Sequence, residues 1–214
     1  MQAPDDVPSS HDRLLERVRE VDFPTLGHFL ERGFVSSAIR RYGLARRMAG
    51  PAATLALTEP DAGAVNRAIV GLNPGEVLVI DMGGDHTHAA IGAVTAAAAR
   101  ARGAAGIVVD GVVTDVDALS HPRTGIPVHA RGSSCLTTKR LNSGAGRRGI
   151  PVETGGVRVE PGDIVLGDAN GVVVLPPRNL DAVLAEAEAS DAAEPELIRR
   201  IAQGEDLRDL LHLS

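Results

Sequence analysis

The sequence predicts an α/β fold, and the clearest support is a strand–turn–helix–strand unit in the middle of the chain. Val77–Ile80 and Gly106–Val109 are continuous apolar runs bounded by Gly, which is typical of buried strands. Between them, Ala93–Arg102 is rich in Ala and contains neither Gly nor Pro, which favours a helix. Short β-type runs in the last third of the chain add further strands to this unit.

Apolar spacing and turn residues define the elements before this unit. Residues 1–11 are polar and acidic, and we predict that they are disordered. The elements predicted next are a helix from Asp12 to Val21, a short helix between Pro24 and Gly33, a strand at Met48–Leu57 and a helix at Ala62–Leu72. The sequence Asn73-Pro74-Gly75 is a turn signal that ends the last of these helices.

The elements after the unit are shorter. Ile126–Ala130 is predicted to be a strand. The polar segment Ser133–Gly149 is predicted to be a functional or interface loop, because it is longer than most connections in a compact domain. Tight turns between β-type runs predict hairpins built from Val152, Val157–Val159, Ile164–Leu166 and Val172–Leu175. The tail from Asn179 to Leu211 is predicted to be helical, with an interruption at Pro195.

Composition and charge exclude several classes of protein. The length of 214 residues fits one domain, predicted over 12–214, with a core of Val, Leu, Ile and Ala because aromatic residues make up only 2%. The net charge of −6 argues against a nucleic-acid partner, which needs a concentrated basic surface. No run approaches the roughly 20 apolar residues that span a bilayer, so no membrane partner is expected.

Cysteine usage and the N-terminus indicate the compartment. Cys135 is the only cysteine, which excludes an internal disulfide and a Cys-based zinc cluster. The N-terminal residues are polar and acidic, unlike a secretory signal peptide. We therefore expect a cytoplasmic protein.

Polar and potentially reactive side chains follow both strands of the central unit. Asp85, His86 and His88 come after the first strand, and Thr114 and Asp115 come after the second. A site at these junctions combines backbone N–H groups at a helix start, suited to an anion, with a carboxylate suited to a metal ion. The two histidines are two residues apart, so on an extended segment they would point to the same side. They are either metal ligands or proton carriers, or exposed loop side chains.

An ordered set of segments resembles the RraA-like family, which includes the 4-hydroxy-4-methyl-2-oxoglutarate and 4-carboxy-4-hydroxy-2-oxoadipate aldolases. The matching segments are PGEVLVID (Pro74–Asp81), GGD (Gly83–Asp85), ARGAAGIVVDGVVTD (Ala101–Asp115), PVHARG (Pro127–Gly132) and GGVRVEPGDIVLGDANGVVVLP (Gly155–Pro176). The resemblance implies a swivelling β/β/α-type domain with flanking N- and C-terminal helices, assembled as homotrimers or as hexamers of paired trimers. It also implies a Mg²⁺- or Mn²⁺-dependent lyase that cleaves a small 2-oxo acid through an enolate, or decarboxylates oxaloacetate.

The aldolase motif of that family is matched only in part. The motif is an acidic residue, twenty intervening residues and then Arg-Asp, and its Asp corresponds to Asp115 here. Thr114 stands at the Arg position and Ala93 at the acidic position. A Thr hydroxyl cannot form a bidentate pair with a carboxylate. The resemblance therefore implies a lyase with altered specificity.

The resemblance, taken with the residues present, assigns roles to a small set of positions. Catalytic roles are expected for Asp115, His88 and Arg131. Substrate binding is expected for Gly92, Ala93, Val94, Thr114 and Lys139. Metal binding is expected for Asp115, Asp85 and His86. The family also borrows a glutamate from the neighbouring subunit, and Glu194 and Glu196 lie in the corresponding C-terminal region.

Two functions remain open at this stage. The first is a metal-dependent aldolase or decarboxylase acting on a small carboxylate, and the presence of Asp115 favours it. The second is a non-catalytic trimeric regulator or scaffold, because the family includes a protein inhibitor of a ribonuclease. The absence of Arg and acid at Thr114 and Ala93 favours the second.

Overall fold

The structure is a computed structural model that describes residues 10–211 except Thr124 and Ala145. It divides into two compact units, one formed by the chain up to Glu31 together with the chain from Arg178, the other by Arg32–Pro177. Most of the predicted disordered segment 1–11 lies outside the described residues, and the first helix begins at Ser10.

The described residues form a mixed set of strands and helices. The strands are β1 (Arg40–Arg41), β2 (Met48–Leu57), β3 (Val77–Asp81), β4 (Ala89–Ile91), β5 (Gly106–Val113), β6 (Val128–Ser133), β7 (Gly146–Arg148), β8 (Val152–Thr154), β9 (Val157–Val159), β10 (Ile164–Gly167) and β11 (Val172–Leu175). The helices are α1 (Ser10–Glu20), a 3₁₀ helix (Phe23–His28), α2 (Ala62–Val70), α3 (Ala93–Ala101), α4 (Val116–Ser120), α5 (Pro177–Ala202) and α6 (Leu207–Leu210).

The larger unit is built on a mixed sheet with the strand order β1-β6-β5-β3-β2-β10-β11. The neighbours β2, β3, β5 and β6 are parallel, whereas β10, β11 and β1 pair antiparallel to their neighbours. The strand β4 adds to β5, and β7 adds to β2. The predicted α/β fold is confirmed.

Both faces of the parallel strands are covered, which explains their continuous apolar sequences. Leu78, Ile80 and Ile107 point into a core shared with buried residues of α2 and α3. Val79 and Val108 point to the opposite face, into a core shared with the β8–β9 hairpin. Because side chains alternate along a strand, each strand contributes to both cores.

The parallel arrangement brings the polar junctions to one edge of the sheet. Strands β3 and β5 are in register at their ends, where Asp81 lies beside Asp110. Helix α2 follows β2, and helix α3 follows β3 and β4, so both helices begin at this edge, and the two helices contact each other. We call it the carboxyl edge, and it carries the side chains that the sequence singled out.

The smaller unit contains α1, the 3₁₀ helix, α6 and most of α5. Arg17 forms a bidentate pair with Glu188, with distances of 2.9 Å from Nε to Oε1 and 2.8 Å from Nη2 to Oε2. Asp191 accepts hydrogen bonds from the Thr25 hydroxyl and, at 2.6 Å, from the backbone N–H of Asp22. These contacts join the N-terminal segment to α5. Among the described helices, none is both long enough and apolar enough to span a membrane.

Several element boundaries differ from the sequence prediction. The predicted interruption at Pro195 is wrong, because α5 continues through that residue. Proline costs about 3 kcal/mol inside a helix, and the Asp191 contacts one turn earlier help to hold this part of α5. Strand β5 extends beyond Gly111 to Val113. The strand therefore continues through Gly111. A Cβ at this position would lie 2.5 Å from Met82 Cγ, so the glycine permits the close approach of Met82 to the strand.

A buried histidine makes the stability of the larger unit depend on pH. His129 on β6 is fully buried, and its Nε2 lies 2.8 Å from the carbonyl oxygen of Asp168. Burial lowers the pKa of His129, and the nearby positive charge of Arg41 lowers it further, whereas the contact with Asp168 opposes the shift. The folded protein therefore favours the neutral ring.

We expect stability to fall as the pH drops below about 6.5, where the unfolded chain protonates His129 and the folded chain resists protonation. The contribution is fully present above that pH, and its slope is at most about 1.4 kcal/mol per pH unit. Denaturant unfolding from pH 7 to 5 should show a smaller slope for His129→Gln. The exposed His28 provides the control, His28→Gln, which should keep the wild-type slope. Equal slopes for wild type and His129→Gln would contradict this account.

Candidate functional site

The start of α3 forms a small polar corner at the carboxyl edge. Gly92 precedes the helix in an extended conformation, and its N–H donates to the Thr95 hydroxyl at 2.8 Å. The same hydroxyl donates to the Gly92 carbonyl at 3.0 Å, which fixes the first turn. The N–H groups of a first turn have no partner inside the helix and carry its positive dipole end. This corner therefore favours a negative group.

The Asp115 carboxylate occupies part of this corner. Its Oδ2 accepts a hydrogen bond of 2.9 Å from the N–H of Ala93, across from the end of β5. The backbone of Asp115 is left-handed, with φ 55°, a conformation that Asp tolerates better than most residues. The Thr114 N–H donates to the Ile91 carbonyl at 2.9 Å, which fixes the approach of this segment. The structure thus brings together the predicted residues Gly92, Ala93, Thr114 and Asp115.

One oxygen of Asp115 is left for other partners. Its Oδ1 lies 3.5 Å from the Thr114 hydroxyl, and the Asp115 side chain is exposed. Val94, the next residue of α3, is 83% exposed beside it. The corner therefore opens outward, with a carboxylate oxygen, a hydroxyl and an apolar side chain at its rim.

Asp85 and His88 form a second polar centre near the start of β4. Oδ1 of Asp85 accepts from the backbone N–H groups of Thr87 and His88 at 2.8 and 3.0 Å, and from the Thr87 hydroxyl at 2.8 Å. Oδ2 accepts from His88 Nδ1 at 2.7 Å. Burial alone would raise the pKa of Asp85, but these hydrogen bonds outweigh it and hold the pKa well below its usual range. Because Nδ1 donates to the carboxylate, Nε2 is the nitrogen free to exchange a proton.

Arg131 and His86 belong to a third group around Asp110. The Arg131 guanidinium binds Asp110 Oδ1 through Nε, and His86 Nε2 lies 3.8 Å from the same oxygen. Oδ2 of Asp110 accepts from the N–H of Gly155 at 2.6 Å, in the turn of the β8–β9 hairpin. Arg131, predicted as catalytic, is therefore engaged in an ion pair that supports the hairpin connection.

The prediction that His86 and His88 point to the same side required an extended segment, and the chain is bent there. Asp85 Oδ1 accepts from the N–H groups of Thr87 and His88, and the chain bends at these two residues, so the alternation of an extended chain does not apply. His86 approaches Asp110, and His88 binds Asp85.

The predicted metal ligands also divide among these groups. Asp115 bonds to the start of α3, Asp85 to His88, and His86 lies near Asp110. Over the part of the chain that the structure describes, no group of three or more His, Cys, Asp or Glu side chains is placed to hold a metal ion. A metal at Asp115 would therefore depend on one carboxylate and on water.

Lys139 lies at the start of α2 and not at the start of α3. Its N–H donates to the Pro60 carbonyl at 2.9 Å, and its carbonyl accepts from the Ala62 N–H at 2.8 Å. The residue between them, Asp61, is fully buried and was not recognised in the sequence. An Asp just before a helix indicates an N-cap, but its burial is set by the distant segment that carries Lys139.

Glu194 and Glu196 lie on α5 in the smaller unit. Glu196 accepts from Arg199 Nε at 2.7 Å, one turn further along the helix. Glu194 lines a surface cavity with Asp191, Pro195 and Ile198. Neither residue is distinguished as a partner for a neighbouring subunit.

Comparisons with known proteins agree with this architecture. The family model RraA-like: Aldolase/RraA matches residues 16–174. A protein of Halalkalibacterium halodurans, provisionally named a 4-hydroxy-4-methyl-2-oxoglutarate aldolase, is 35% identical over 158 residues, which are 74% of this chain and 73% of the relative.

Two crystal structures extend the likeness to the fold. A protein from Pseudomonas syringae pv. tomato aligns with a TM-score of 0.80 at 24% identity, over 98% of this chain and 100% of the other. RraAS2 of Streptomyces coelicolor, described as an unusual member of the RNase ES inhibitor RraA protein family, aligns with a TM-score of 0.71 at 26% identity, over 92% and 99% of the two chains.

Gly92 provides a test of the Asp115 contact. A Cβ at this position would lie 2.7 Å from Asp115 Oδ2, and a side chain can yield more easily than backbone. We expect Gly92→Ala to displace the carboxylate and to speed hydrogen exchange at the Ala93 amide by about tenfold, the loss of roughly 1.4 kcal/mol of protection. Amide exchange followed by NMR measures this directly.

Gly132 offers a matched control in the same unit. A Cβ there would meet Val112 Cγ1 at 3.6 Å, an ordinary contact. Gly132→Ala should leave the Ala93 amide unchanged. If Gly92→Ala also left it unchanged, Asp115 would not be its acceptor.

Proposed function

The chain belongs to the RraA-like family, and we propose that it is a divalent-metal-dependent carbon–carbon lyase acting on a small 2-oxo acid. The observation that carries the proposal is the Asp115 carboxylate held on the first turn of α3, with its second oxygen directed away from the backbone contact. That arrangement supports a cation site next to N–H groups suited to an anion.

The donor set at Asp115 fits Mg²⁺ or Mn²⁺ bound mostly through water. Mg²⁺ commonly uses one or two carboxylates and keeps several waters. Oδ1 of the exposed Asp115 and the hydroxyl of the half-buried Thr114 lie 3.5 Å apart and are both oxygen ligands for such an ion. When bound, such an ion supplies a Lewis acid that polarises a 2-oxo group and stabilises enolate charge.

The first turn of α3 would hold the carboxylate next to the 2-oxo group. The N–H of Gly92 is used by Thr95 and that of Ala93 by Asp115, so the N–H groups of Val94 and Thr95 are the ones left for a substrate. Backbone donors fixed in this way need no reorganisation as charge develops. In an aldol cleavage, the substrate hydroxyl loses a proton, the adjacent carbon–carbon bond breaks, and its electron pair forms the pyruvate enolate.

His88 is the residue we assign to proton transfer. Asp85 fixes its tautomer and orientation through Nδ1, and Nε2 can accept the hydroxyl proton and return it to the enolate carbon. This is the role of a carboxylate-oriented imidazole in general acid–base catalysis. Arg131 stays in its ion pair with Asp110 and contributes a positive charge to the carboxyl edge.

The oligomeric state we propose is a homotrimer or a hexamer of two trimers. Val94, Val116 and Leu136 are apolar and exposed on the larger unit, at 83%, 36% and 44%. The smaller unit exposes Ile198 and Leu207 at 56% and 50%. Such surface is typical of subunit interfaces, through which Glu194 or Glu196 of a neighbour could reach a site. Light scattering at micromolar concentration tests this proposal, and a monomer mass would contradict it.

The second candidate function is a non-catalytic trimeric regulator of the RraA type. Two observations favour it, namely that Thr114 and Ala93 replace the charged residues of the aldolase motif, and that RraAS2 covers most of the chain at 26% identity. The presence of Asp115 in its contact with α3 favours the lyase.

Asp115→Asn should abolish metal-dependent turnover, because the neutral amide is a poor ligand for a hard cation. We expect the Mn²⁺ affinity measured by calorimetry to fall at least about tenfold, equivalent to 1.4 kcal/mol. We expect the Mn²⁺-dependent release of pyruvate from oxaloacetate to be lost as well. Asp117→Asn, an exposed carboxylate on α4, is the control and should retain both. Equal Mn²⁺ affinity in wild type and Asp115→Asn would exclude Asp115 as a ligand.

Thr114→Arg should raise activity on 4-hydroxy-4-methyl-2-oxoglutarate by about 10- to 100-fold, because hydrogen bonds to charged groups contribute about 1.5–3 kcal/mol. Adding Ala93→Asp should raise it further. If another cation already anchors the substrate, Thr114→Arg should instead lower activity through crowding. Steady-state assays with Mn²⁺ on this substrate and on oxaloacetate separate the two outcomes. The absence of turnover in every variant would favour the regulator.

A further inference from the structure

We propose that Asp61 is a positioning residue that fixes residues 134–144 along the carboxyl edge, so that Lys139 anchors the second carboxylate of a 2-oxo dicarboxylate. We call this segment the strap. The inference rests on the proposed function, because it concerns the substrate of the same site. It explains how a site with Thr114 in place of a cation can still distinguish substrates by charge.

The Asp61 carboxylate accepts hydrogen bonds both from α2 and from the strap. Its Oδ1 accepts from the N–H groups of Gly63 at 2.7 Å and Asn142 at 3.1 Å, and its Oδ2 accepts from Ser143 at 3.1 Å. Arg67 Nη2 lies 3.8 Å from Oδ2. Burial alone would raise the pKa of Asp61, but the three N–H donors and Arg67 outweigh it and lower the pKa. The carboxylate is therefore ionised at neutral pH.

A helix cap alone does not need this arrangement. One hydrogen bond to Gly63 satisfies the cap of α2. The other two bonds go to strap residues more than 80 positions away, and all three bonds enter a side chain with no exposed surface. A buried charge is costly unless its hydrogen bonds are complete. The extra donors therefore tie the strap to α2.

The strap is bound at successive points along the carboxyl edge. Ser134 N–H donates to the Val113 carbonyl at 2.8 Å, one residue before Thr114. Ala89 on β4 then donates to the Leu136 carbonyl at 2.7 Å and accepts from Thr138 at 3.1 Å. The strap reaches α2 at Lys139 and ends its path on Asp61. It thus runs from the end of β5, two residues before Asp115, to α2, the helix that contacts α3.

This path sets the backbone of Lys139 at the start of α2, the helix that contacts α3. Helices α2 and α3 contact each other and begin at the same edge, and packed helices are about 8–10 Å apart. A lysine side chain together with a four- or five-carbon dicarboxylate can span such a distance. Lys139 is exposed, and among the described residues its ammonium forms no ion pair. Its charge is available to a ligand.

The strap can be released without removing the helix cap. In Asp61→Ser the hydroxyl still caps α2, since Ser is a favoured N-cap residue, but it cannot reach the N–H groups of Asn142 and Ser143 together. Lys139→Gln removes the cation and leaves the Asp61 contacts. Asp163→Asn is the matched control, because Asp163 is a buried carboxylate that accepts from Glu160 N–H in the turn before β10.

The experiment compares two probe ligands, 2-oxoglutarate and 2-oxobutyrate, by calorimetry in the presence of Mn²⁺. We expect the wild type and Asp163→Asn to bind the dicarboxylate about tenfold more tightly, the factor that 1.4 kcal/mol provides. In Asp61→Ser and Lys139→Gln this preference should fall to within about twofold, while 2-oxobutyrate affinity stays the same. Amide exchange across 134–144 should rise at least tenfold in Asp61→Ser and remain at the wild-type level in Lys139→Gln.

Several results would overturn the inference. The first is that the wild type shows no preference for the dicarboxylate. The second is that Lys139→Gln keeps the preference. The third is that Asp61→Ser keeps the preference although amide exchange shows that its strap is loosened. If Asp61→Ser does not fold, Asp61→Asn, which keeps the shape of the side chain and removes its charge, takes its place with the same criteria. A binding preference without turnover would contradict the proposed lyase activity and support the proposed role of the strap. Turnover without a binding preference would support the lyase activity and contradict the role of the strap.

Discussion

Two helices that begin at one edge of a parallel sheet impose the constraint on which this molecule depends. Each first turn leaves backbone N–H groups without partners, and these groups need acceptors wherever water is excluded. Asp61 supplies the acceptor for α2 and Asp115 supplies it for α3. One of these carboxylates is buried and the other is exposed. The same structural need thus produces an internal anchor at one helix and an open corner at its neighbour.

The acidic residues of the carboxyl edge differ in the hydrogen-bond donors that surround them. Asp81 and Asp110 lie side by side on the face covered by the β8–β9 hairpin, where they accept N–H groups of Glu153 and Gly155. Asp85 is used by His88 and by its own turn. Asp115 retains an oxygen with no backbone donor. This difference, and not the number of carboxylates, is why the proposed chemistry is placed at Asp115.

The sequence predicted elements best where a repeating pattern decides the structure. Strand β2 was predicted with its observed bounds, and so was β11, because buried parallel and hairpin strands carry continuous apolar runs. The corner at Gly92 and Asp115 followed from the family motif. The histidine geometry could not be predicted, since it depends on the turn that the Asp85 carboxylate forms with the N–H groups of Thr87 and His88.

Other features depend on contacts between distant segments. Asp61 looks like an ordinary helix cap in the sequence, and its burial arises only when the strap returns to α2 from eighty residues away. Gly111 looks like the end of a strand, but the strand continues, and the missing Cβ makes room for the Met82 side chain. Pro195 looks like a break, yet α5 continues through it. Local propensity decides such positions only where tertiary contacts are weak.

The proposed lyase forms a pyruvate enolate at the corner held by Asp115. Proton NMR of pyruvate in D₂O measures enolate formation without knowledge of the natural substrate, because each return of the enolate replaces a methyl proton by deuterium. We expect Mg²⁺-dependent loss of the methyl signal with the wild type and with Asp117→Asn, and none with Asp115→Asn. A wild-type rate equal to that of Mg²⁺ in buffer alone would contradict it.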